Sequence, residues 1–356
     1  MLAERVKGIS DRHKKITMLI IALFFTLFRG LRWETGTDWE QFHDFFYNAS
    51  LSGLFSPRYA TGSVVMEPGY TLLNVFFSNL TGSYTSLLIF YNAIMFGIYY
   101  SCSWKYFPKS PISVFICLIF FTVNPFPLRQ GLACAIFLYG IRYILSKDML
   151  KFGIAIIIAA SIHNSAILLF PCYFFLNKQI PNKLIVISYI VCLIFAESQL
   201  LNLVLEQTIS IFAKIIGADS SFLLKAYTYL NHNKDVDSGL FTKIFSFLRS
   251  IVFLSIFCLF ASRNKVPSNY NIFFNCFALS LCIGILFKYQ MQEIARVQDY
   301  FVPGTALLLG YILSVLPTNK HNIFYVFVIL YSFYAVYKYF DKWYDYLVPY
   351  KSIIGV

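Results

Sequence analysis

The sequence is poor in charged residues. Of its 356 residues only 13% are Asp, Glu, Lys or Arg, whereas 58% are hydrophobic and the mean hydropathy is +0.64. Soluble domains carry roughly 25% charged residues. The composition therefore excludes an ordinary soluble globular protein and favours a membrane protein.

The sequence also lacks the motifs of common soluble enzymes. It has no Gly-rich phosphate loop, no HExxH, no GxSxG and no Cys/His cluster with metal-ligand spacing. Its eight cysteines are scattered through apolar segments without a CxxC pair, which is typical of small core residues. The tripeptide DVD at 235–237 matches that of metal-dependent sugar-nucleotide transferases, but its polar surroundings favour a solvated loop. We therefore expect no metal and no other cofactor.

Long apolar stretches are what the sequence does contain. They predict an all-α polytopic integral membrane protein with about eleven transmembrane helices, some of them short or re-entrant helices that line an outward-facing cavity. The predicted spans are 16–31, 84–102, 112–125, 128–146, 152–163, 165–177, 184–203, 241–261, 270–288, 300–316 and 322–340. Segment 66–81 contains two asparagines, and we interpret it as a re-entrant or interfacial helix. No internal repeat is evident, so residues 1–356 are predicted to form a single membrane domain.

The distribution of basic residues predicts the orientation of these spans. The net charge of +12 could indicate nucleic-acid binding in a soluble protein, but in membrane proteins Lys and Arg collect in short cytoplasmic loops. Placing the basic N-terminus inside puts many of them on the cytoplasmic side. The outer loops are then 32–65 and 218–240. We predict no binding of nucleic acid, and a multi-pass protein of the bacterial plasma (inner) membrane with a cytoplasmic N-terminus.

The first polar motif is LRWETGTDWEQFHDFF, residues 31–46. Thr37 and Glu40 have the spacing of a capping box, which predicts that a helix starts at Thr37 with Asp38 in its first turn. An interfacial helix with aromatic residues among the headgroups is one interpretation. Arg32 and Asp38, which flank Gly36, are less easily explained in that way and are candidate functional residues.

The second motif, NPFPLRQGLA at 124–133, predicts an anion site. Pro127 suits the first position of a helix, so Arg129 is expected in its first turn. Amides, helix dipole and guanidinium there would all favour a diphosphate. An arginine that extends to the membrane interface is the alternative.

Two further motifs place ionisable residues at breaks between apolar segments. In AASIHNSAILLFP, residues 159–171, His163 is predicted at the tip of a helical hairpin, with Asn164 and Ser165 able to cap the next helix. A structural histidine is the alternative. In QEIARVQDYFVPG, residues 292–304, the three-residue spacing of Glu293, Arg296 and Asp299 suits either a functional site or a mutual salt-bridge ladder.

Together these motifs resemble a known family. Arg32 and Asp38 after the first span, EPGY at 67–70, RQGLA at 129–133 and SIHNSAILLFP at 161–171 resemble the EpsG-type branch of the Wzy O-antigen and exopolysaccharide polymerases. The resemblance covers roughly residues 29–177, with a looser similarity in ARVQDYF, and Trp39 stands where tyrosine is more usual. It implies a GT-C-like, multi-span glycosyltransferase that joins polyprenyl-diphosphate-linked oligosaccharides on the outer face of the membrane.

The residues suit that chemistry. A diphosphate leaving group needs fixed cations, and arginine binds phosphate better than lysine, so Arg129 and Arg296 are assigned to a diphosphate clamp with Arg32 as a third member. His163 is the predicted general base, with Asp38 or Glu67 as the second choice. The aromatic residues predicted to stack on sugars are Trp39, Phe42 and Tyr70. The predicted partners are the lipid-linked oligosaccharide, the bilayer and a chain-length regulator.

Two other functions remain as alternatives. A transporter or flippase for lipid-linked oligosaccharides would also need a polar cavity with arginines, but it would more often show repeated halves. An O-antigen ligase or membrane O-acyltransferase is the second alternative, although a ligase typically carries a larger outer loop.

Overall fold

The structure of the protein is a computed structural model. It describes residues 9–36, 38–51, 66–122, 128–196, 240–263, 268–287, 292–316 and 318–355, together with short stretches at 198, 203–204, 206–211 and 266. Thr37, Pro127, the DVD tripeptide, residues 52–65 of the first predicted outer loop and residues 218–239 of the second lie outside the described residues.

The described residues are mostly helical and contain no β-strand, only a single bridge between Arg32 and Ser352. The α-helices are α1 Asp11–Gly30, α2 Trp39–Asn48, α3 Pro68–Thr81, α4 Tyr84–Tyr106, α5 Pro111–Phe121, α6 Leu128–Leu145, α7 Met149–Ile162, α8 Cys172–Phe175, α9 Asn182–Ala196, α10 Leu240–Arg263, α11 Ser268–Phe287, α12 Gln292–Ala295, α13 Val302–Val315, α14 Thr318–Lys342 and α15 Tyr344–Leu347. Short 3-10 helices are also present, at Asn164–Leu169, Arg296–Tyr300 and Ile353–Gly355.

Local sequence explains many of these boundaries. α3 and α5 begin with proline, which lacks the N–H that a first helical residue leaves unused. α3 ends at Thr81 and is capped by Gly82, whose φ of 62° is the left-handed conformation that glycine adopts without strain. Asp148 caps α7 by accepting the Lys151 backbone N–H.

Long apolar helices support the prediction of a polytopic membrane protein. Five described helical segments are long and apolar enough to cross a membrane: Tyr84–Tyr106, Leu128–Leu145, Ile244–Ala261, Asn269–Phe287 and Asn322–Asp341. Shorter apolar helices accompany them at Pro111–Phe121, Met149–Ile162, Asn164–Phe175 and Asn182–Ala196. The number of eleven spans stays a prediction, as does the single domain.

Some predicted boundaries differ from the structure. The predicted span 165–177 is divided between the 3-10 helix Asn164–Leu169 and α8, and Pro171 stands at the break. The helix predicted to start at Thr37 starts at Trp39, and the Asp38 side chain does not cap it. Segment 66–81 contains the single helix α3, Pro68–Thr81, and its interpretation as a re-entrant or interfacial helix stays a prediction.

The chain divides into two compact units, and the first comprises Met1–Asn177 and Thr305–Val356. In this unit α1 packs on α4, and a Cβ added to Gly30 would lie 2.9 Å from the Ile89 Cα, so glycine permits the close approach. The other face of α1 is exposed and apolar, including Leu19, Ile20 and Phe24. Such a face suits contact with lipid chains.

The second unit, Lys178–Gly304, contains polar side chains that bond to the backbone of neighbouring segments. Asn182 donates to the Cys258 carbonyl at 3.1 Å, and Asn275 donates to the Lys178 carbonyl at 2.8 Å. Tyr270 donates its hydroxyl to the Phe257 carbonyl at 2.8 Å. These bonds satisfy polar groups within helices whose remaining surface is apolar.

Candidate active site

Glu67 is the centre of a polar cluster in the first unit. It immediately precedes α3, whose first turn contains Pro68 and Gly69. A Cβ at Gly69 would collide with the Ser161 side chain and lie 2.8 Å from the Ser161 carbonyl oxygen. Glycine therefore lets the start of α3 approach the last turn of α7, and this contact brings Glu67 to the residues that follow α7.

The Glu67 carboxylate contacts two of the predicted functional residues, Arg129 and His163. Its Oε2 accepts a hydrogen bond from Arg129 Nη1 at 2.5 Å, and its Oε1 lies 3.4 Å from His163 Nδ1. Oε1 also accepts the Asn164 backbone N–H at 3.0 Å. The Glu67 side chain is only 5% exposed, compared with 16% for Arg129 and 28% for His163. The carboxylate is therefore the buried member of the three.

His163 lies in the turn predicted from the sequence. Its backbone is extended, with φ −150° and ψ 110°, between the end of α7 and the 3-10 helix Asn164–Leu169. Its N–H still donates to the Ala159 carbonyl at 2.9 Å. A carboxylate next to Nδ1 favours the tautomer in which Nδ1 carries the proton and Nε2 has the lone pair. In that tautomer Nε2 can accept a proton from a substrate.

Arg129 is the second residue of α6, so its position in the first helical turn is confirmed. Its guanidinium carbon lies 5.0 Å from the centre of the Phe42 ring and 5.3 Å from that of Tyr70. Rings at this distance attract a cation and restrict where it can move. Because arginine has five N–H donors, the bond to Glu67 leaves capacity for an anionic ligand.

The electrostatics keep Glu67 ionised. Burial acts to raise the pKa of its carboxyl group, but His163, the charge of Arg129 and the Asn164 N–H outweigh it, so the pKa is lower than the ordinary value. A carboxylate with a lowered pKa is a weak proton acceptor. The geometry and the charge therefore favour Glu67 as the group that positions His163 and Arg129, and favour His163 over Glu67 as the base.

The three predicted stacking residues belong to a buried aromatic cluster beside the site. Its aromatic members are Trp39, Phe42, Phe45, Phe46, Tyr70, Phe77, Tyr84 and Tyr91. Tyr70 is fully buried, stacks on Phe45 at 5.7 Å and meets Phe42 at 5.9 Å. Phe42 and Tyr70 are also the two rings that lie against the Arg129 guanidinium. The stacking of sugar rings on Trp39, Phe42 and Tyr70 stays a prediction.

The remaining predicted site residues lie in three different places. Asp38 is half-buried immediately before the first residue of α2. Arg32 is 5% exposed, and the next residue, Trp33, packs against the aromatic cluster. Arg296 belongs to the second unit, where it is exposed at the start of a 3-10 helix. The Glu293 side chain lies outside the described part of the structure.

The sequence prediction missed the bridging role of Glu67. The motifs that contain residues 67, 129 and 163 were recognised separately, but nothing in them shows that one carboxylate contacts the other two side chains. A signal was present in Glu67-Pro68-Gly69, because an acid directly before a helix-initiating proline and a glycine suits a close helix contact.

Comparison with known proteins gives one match. The model of a family described as the EpsG family matches residues 15–352, nearly the whole chain. Neither the curated proteins nor the solved structures gave a match. The family match extends well beyond the stretch 29–177 on which the resemblance in the sequence was based.

Proposed function

Because the chain belongs to the EpsG family, whose members have a polysaccharide polymerase-type function, we propose that it polymerises lipid-linked oligosaccharide repeat units in the manner of Wzy. The observation that carries this proposal is the Glu67 carboxylate between Arg129 and His163. It supports the proposal because a guanidinium, which can bind phosphate, and an imidazole, which can accept a proton, lie at the two oxygens of one buried carboxylate. Glycosyl transfer from a diphosphate needs both.

The proposed reaction is one displacement at an anomeric carbon. A hydroxyl on the non-reducing sugar of one lipid-linked oligosaccharide attacks the anomeric carbon of the other. A new C–O bond forms, the bond between that carbon and the diphosphate oxygen breaks, and polyprenyl diphosphate leaves with the bonding electrons. His163 Nε2 takes the hydroxyl proton. Glu67 stabilises the imidazolium that results.

Arg129 has the second role in this scheme. Negative charge develops on the diphosphate as the bond breaks, and a guanidinium held in advance stabilises that charge without reorganising. Its contacts with Glu67, Phe42 and Tyr70 restrict its movement before substrate binds. We assign Arg32 to a further contact with the diphosphate and keep Asp38 as the second choice of base. The clamp role of Arg296, which belongs to the second unit, stays a prediction.

The wider assignment follows from the same proposal. The protein would be a GT-C-like glycosyltransferase of the bacterial plasma membrane, with its N-terminus in the cytoplasm and its site open to the outside. It would need no metal, because arginines supply the positive charge. A chain-length regulator is the expected protein partner.

Deleting the gene and separating the surface glycan on a gel tests the proposal. We expect the ladder of long chains to disappear while a single capped repeat remains, and the wild-type gene should restore the ladder. The Arg129→Lys gene should restore little of it. A deletion strain that keeps its full ladder, or that loses the single repeat as well, would contradict the polymerase assignment, and the latter result would favour a transporter.

A further inference from the structure

Residues 350–353 pair with the segment that carries Arg32, although more than 300 residues separate them in sequence. The Trp33 N–H donates to the Lys351 carbonyl at 2.9 Å, and the Ile353 N–H donates to the Leu31 carbonyl at 3.0 Å. These two bonds flank an antiparallel bridge between Arg32 and Ser352. The backbone is therefore hydrogen-bonded to residues 350–353 on the residue before Arg32 and on the residue after it.

Side chains reinforce this pairing. The Tyr350 ring stacks on Phe28 with ring centres 4.7 Å apart, and its hydroxyl donates to the Phe28 carbonyl at 2.5 Å. That bond satisfies one of the carbonyls left open at the end of α1. Lys351 Nζ lies 3.0 Å from Glu34 Oε2. The contacts thus extend from the last turn of α1 to Glu34.

The segment so held leads directly to the aromatic cluster. Trp33 meets Trp39 with ring centres 4.9 Å apart and meets His43 at 5.7 Å. Trp33 also packs against the buried cluster that contains Phe42 and Tyr70, the two rings that lie against Arg129. Residues 350–353 therefore bind a segment that brings a second buried arginine to the region of the Glu67 cluster.

We propose that residues 350–353 are part of the catalytic unit, in which Tyr350 and Lys351 act as positioning residues for Arg32 at the donor diphosphate. This inference rests on the proposed function, because it assigns Arg32 to the same leaving group as Arg129. A diphosphate carries several negative oxygens, so a second guanidinium held at a fixed place adds to the stabilisation that Arg129 provides.

The test uses full-length protein in membranes and measures chain extension of a lipid-linked repeat unit. Tyr350→Ala should lower extension by about tenfold or more, as should Arg32→Ala, because each removes the positioned charge. The double variant Tyr350→Ala, Arg32→Ala should extend chains no more slowly than the slower of the two single variants, since both changes remove the same interaction. Tyr350→Phe keeps the ring stacking and should lose less.

The matched control is Tyr344→Ala. Tyr344 is an exposed tyrosine nearby in sequence, and the described contacts of the 28–34 segment do not involve its side chain. This variant should extend chains at the wild-type rate.

If Tyr350→Ala fails to insert into the membrane, exchanging the charges of the Glu34–Lys351 pair provides a second test. Glu34→Lys should lower extension by up to about fivefold, a modest loss because the pair is exposed, and Glu34→Lys with Lys351→Glu should restore it. Three results would overturn the inference but leave the proposed polymerase function intact. They are normal chain extension by Tyr350→Ala, a loss in the Tyr350→Ala, Arg32→Ala double variant equal to the product of the two single losses, and no recovery of extension on exchanging the two charges. A wild-type protein that extends no chain would overturn the proposed function and this inference with it.

Discussion

Replacing Glu67 by glutamine tests the arrangement of the site most sharply. Glutamine keeps the size of the side chain but removes the charge, and its amide has one acceptor oxygen where the carboxylate has two. The carboxylate accepts from Arg129 and Asn164 and lies beside His163 Nδ1. The glutamine NH₂ must therefore face at least one group that itself donates.

The size of the effect follows from the bonds that are lost. A hydrogen bond to a charged group contributes about 1.5–3 kcal/mol. If the substitution removes that much stabilisation of the transition state, because His163 and Arg129 are no longer held in place, the rate falls roughly 10- to 150-fold. We expect the larger part of the loss in kcat, because the substrate-binding surfaces stay in place.

The assay is extension of lipid-linked repeats by purified protein in liposomes, measured at saturating and limiting substrate. Asp148→Asn is the matched control, since Asp148 also forms an ion pair, with Lys151 at 2.7 Å, but at the opposite end of α7. Its rate should equal that of the wild type. In the double variant Glu67→Gln, His163→Gln, the fold-loss in extension rate should be clearly smaller than the product of the fold-losses of the two single variants. A fully multiplicative loss, or wild-type activity in Glu67→Gln, would refute the role of Glu67.

The other predictions concern the residues around this carboxylate and the second unit. Arg129→Lys should insert normally yet lower the polymer yield by about tenfold or more, because lysine keeps the charge but loses the planar donor geometry; equal yields would move the diphosphate site elsewhere. His163→Gln should leave the thermal stability largely unchanged and lower extension by ~10²–10⁴, whereas a structural histidine would show its loss as instability. Burial raises the pKa of Asp299 to about 7 against the opposing charge of Arg296, so the wild type loses stability as the pH rises from the ordinary Asp value towards 7. Asp299→Asn should therefore gain more in melting temperature over the wild type at pH 8 than at pH 5, and a gap independent of pH would contradict this. Cysteine labelling should reach residues 129 and 163 from outside and residue 147 only from inside.

The helices were largely predictable from the sequence because each depends on its own residues. Apolar runs bounded by proline, glycine or charge predicted α4, α6 and α7 to within a few residues. The start of α2 was wrong by two residues, since Thr37 and Glu40 have capping-box spacing and only the backbone shows that Trp39 begins the helix. Pro171 breaks the predicted span 165–177 for a reason visible in the sequence, yet apolar composition on both sides concealed it.

The site could be predicted only in part. Arg129 and His163 were identified because a charge at a helix start and an ionisable residue between apolar segments stand out locally. The link between them is Glu67, which lies 62 residues before Arg129 in sequence, and the pairing of Arg32 with Ser352 spans nearly the whole chain. Such contacts depend on which helices pack together, and one sequence does not encode that as a local pattern.

Reconstitution of the purified protein with a polyprenyl-diphosphate-linked repeat unit tests the central claim most directly. The account predicts products of two, three and more repeats on lipid without added metal, with one polyprenyl diphosphate released for each new linkage. It also predicts that Glu67→Gln, Arg129→Lys and His163→Gln each suppress both signals together. Transfer of the lipid-linked repeat between membrane leaflets with no longer glycan and no release of polyprenyl diphosphate would contradict it.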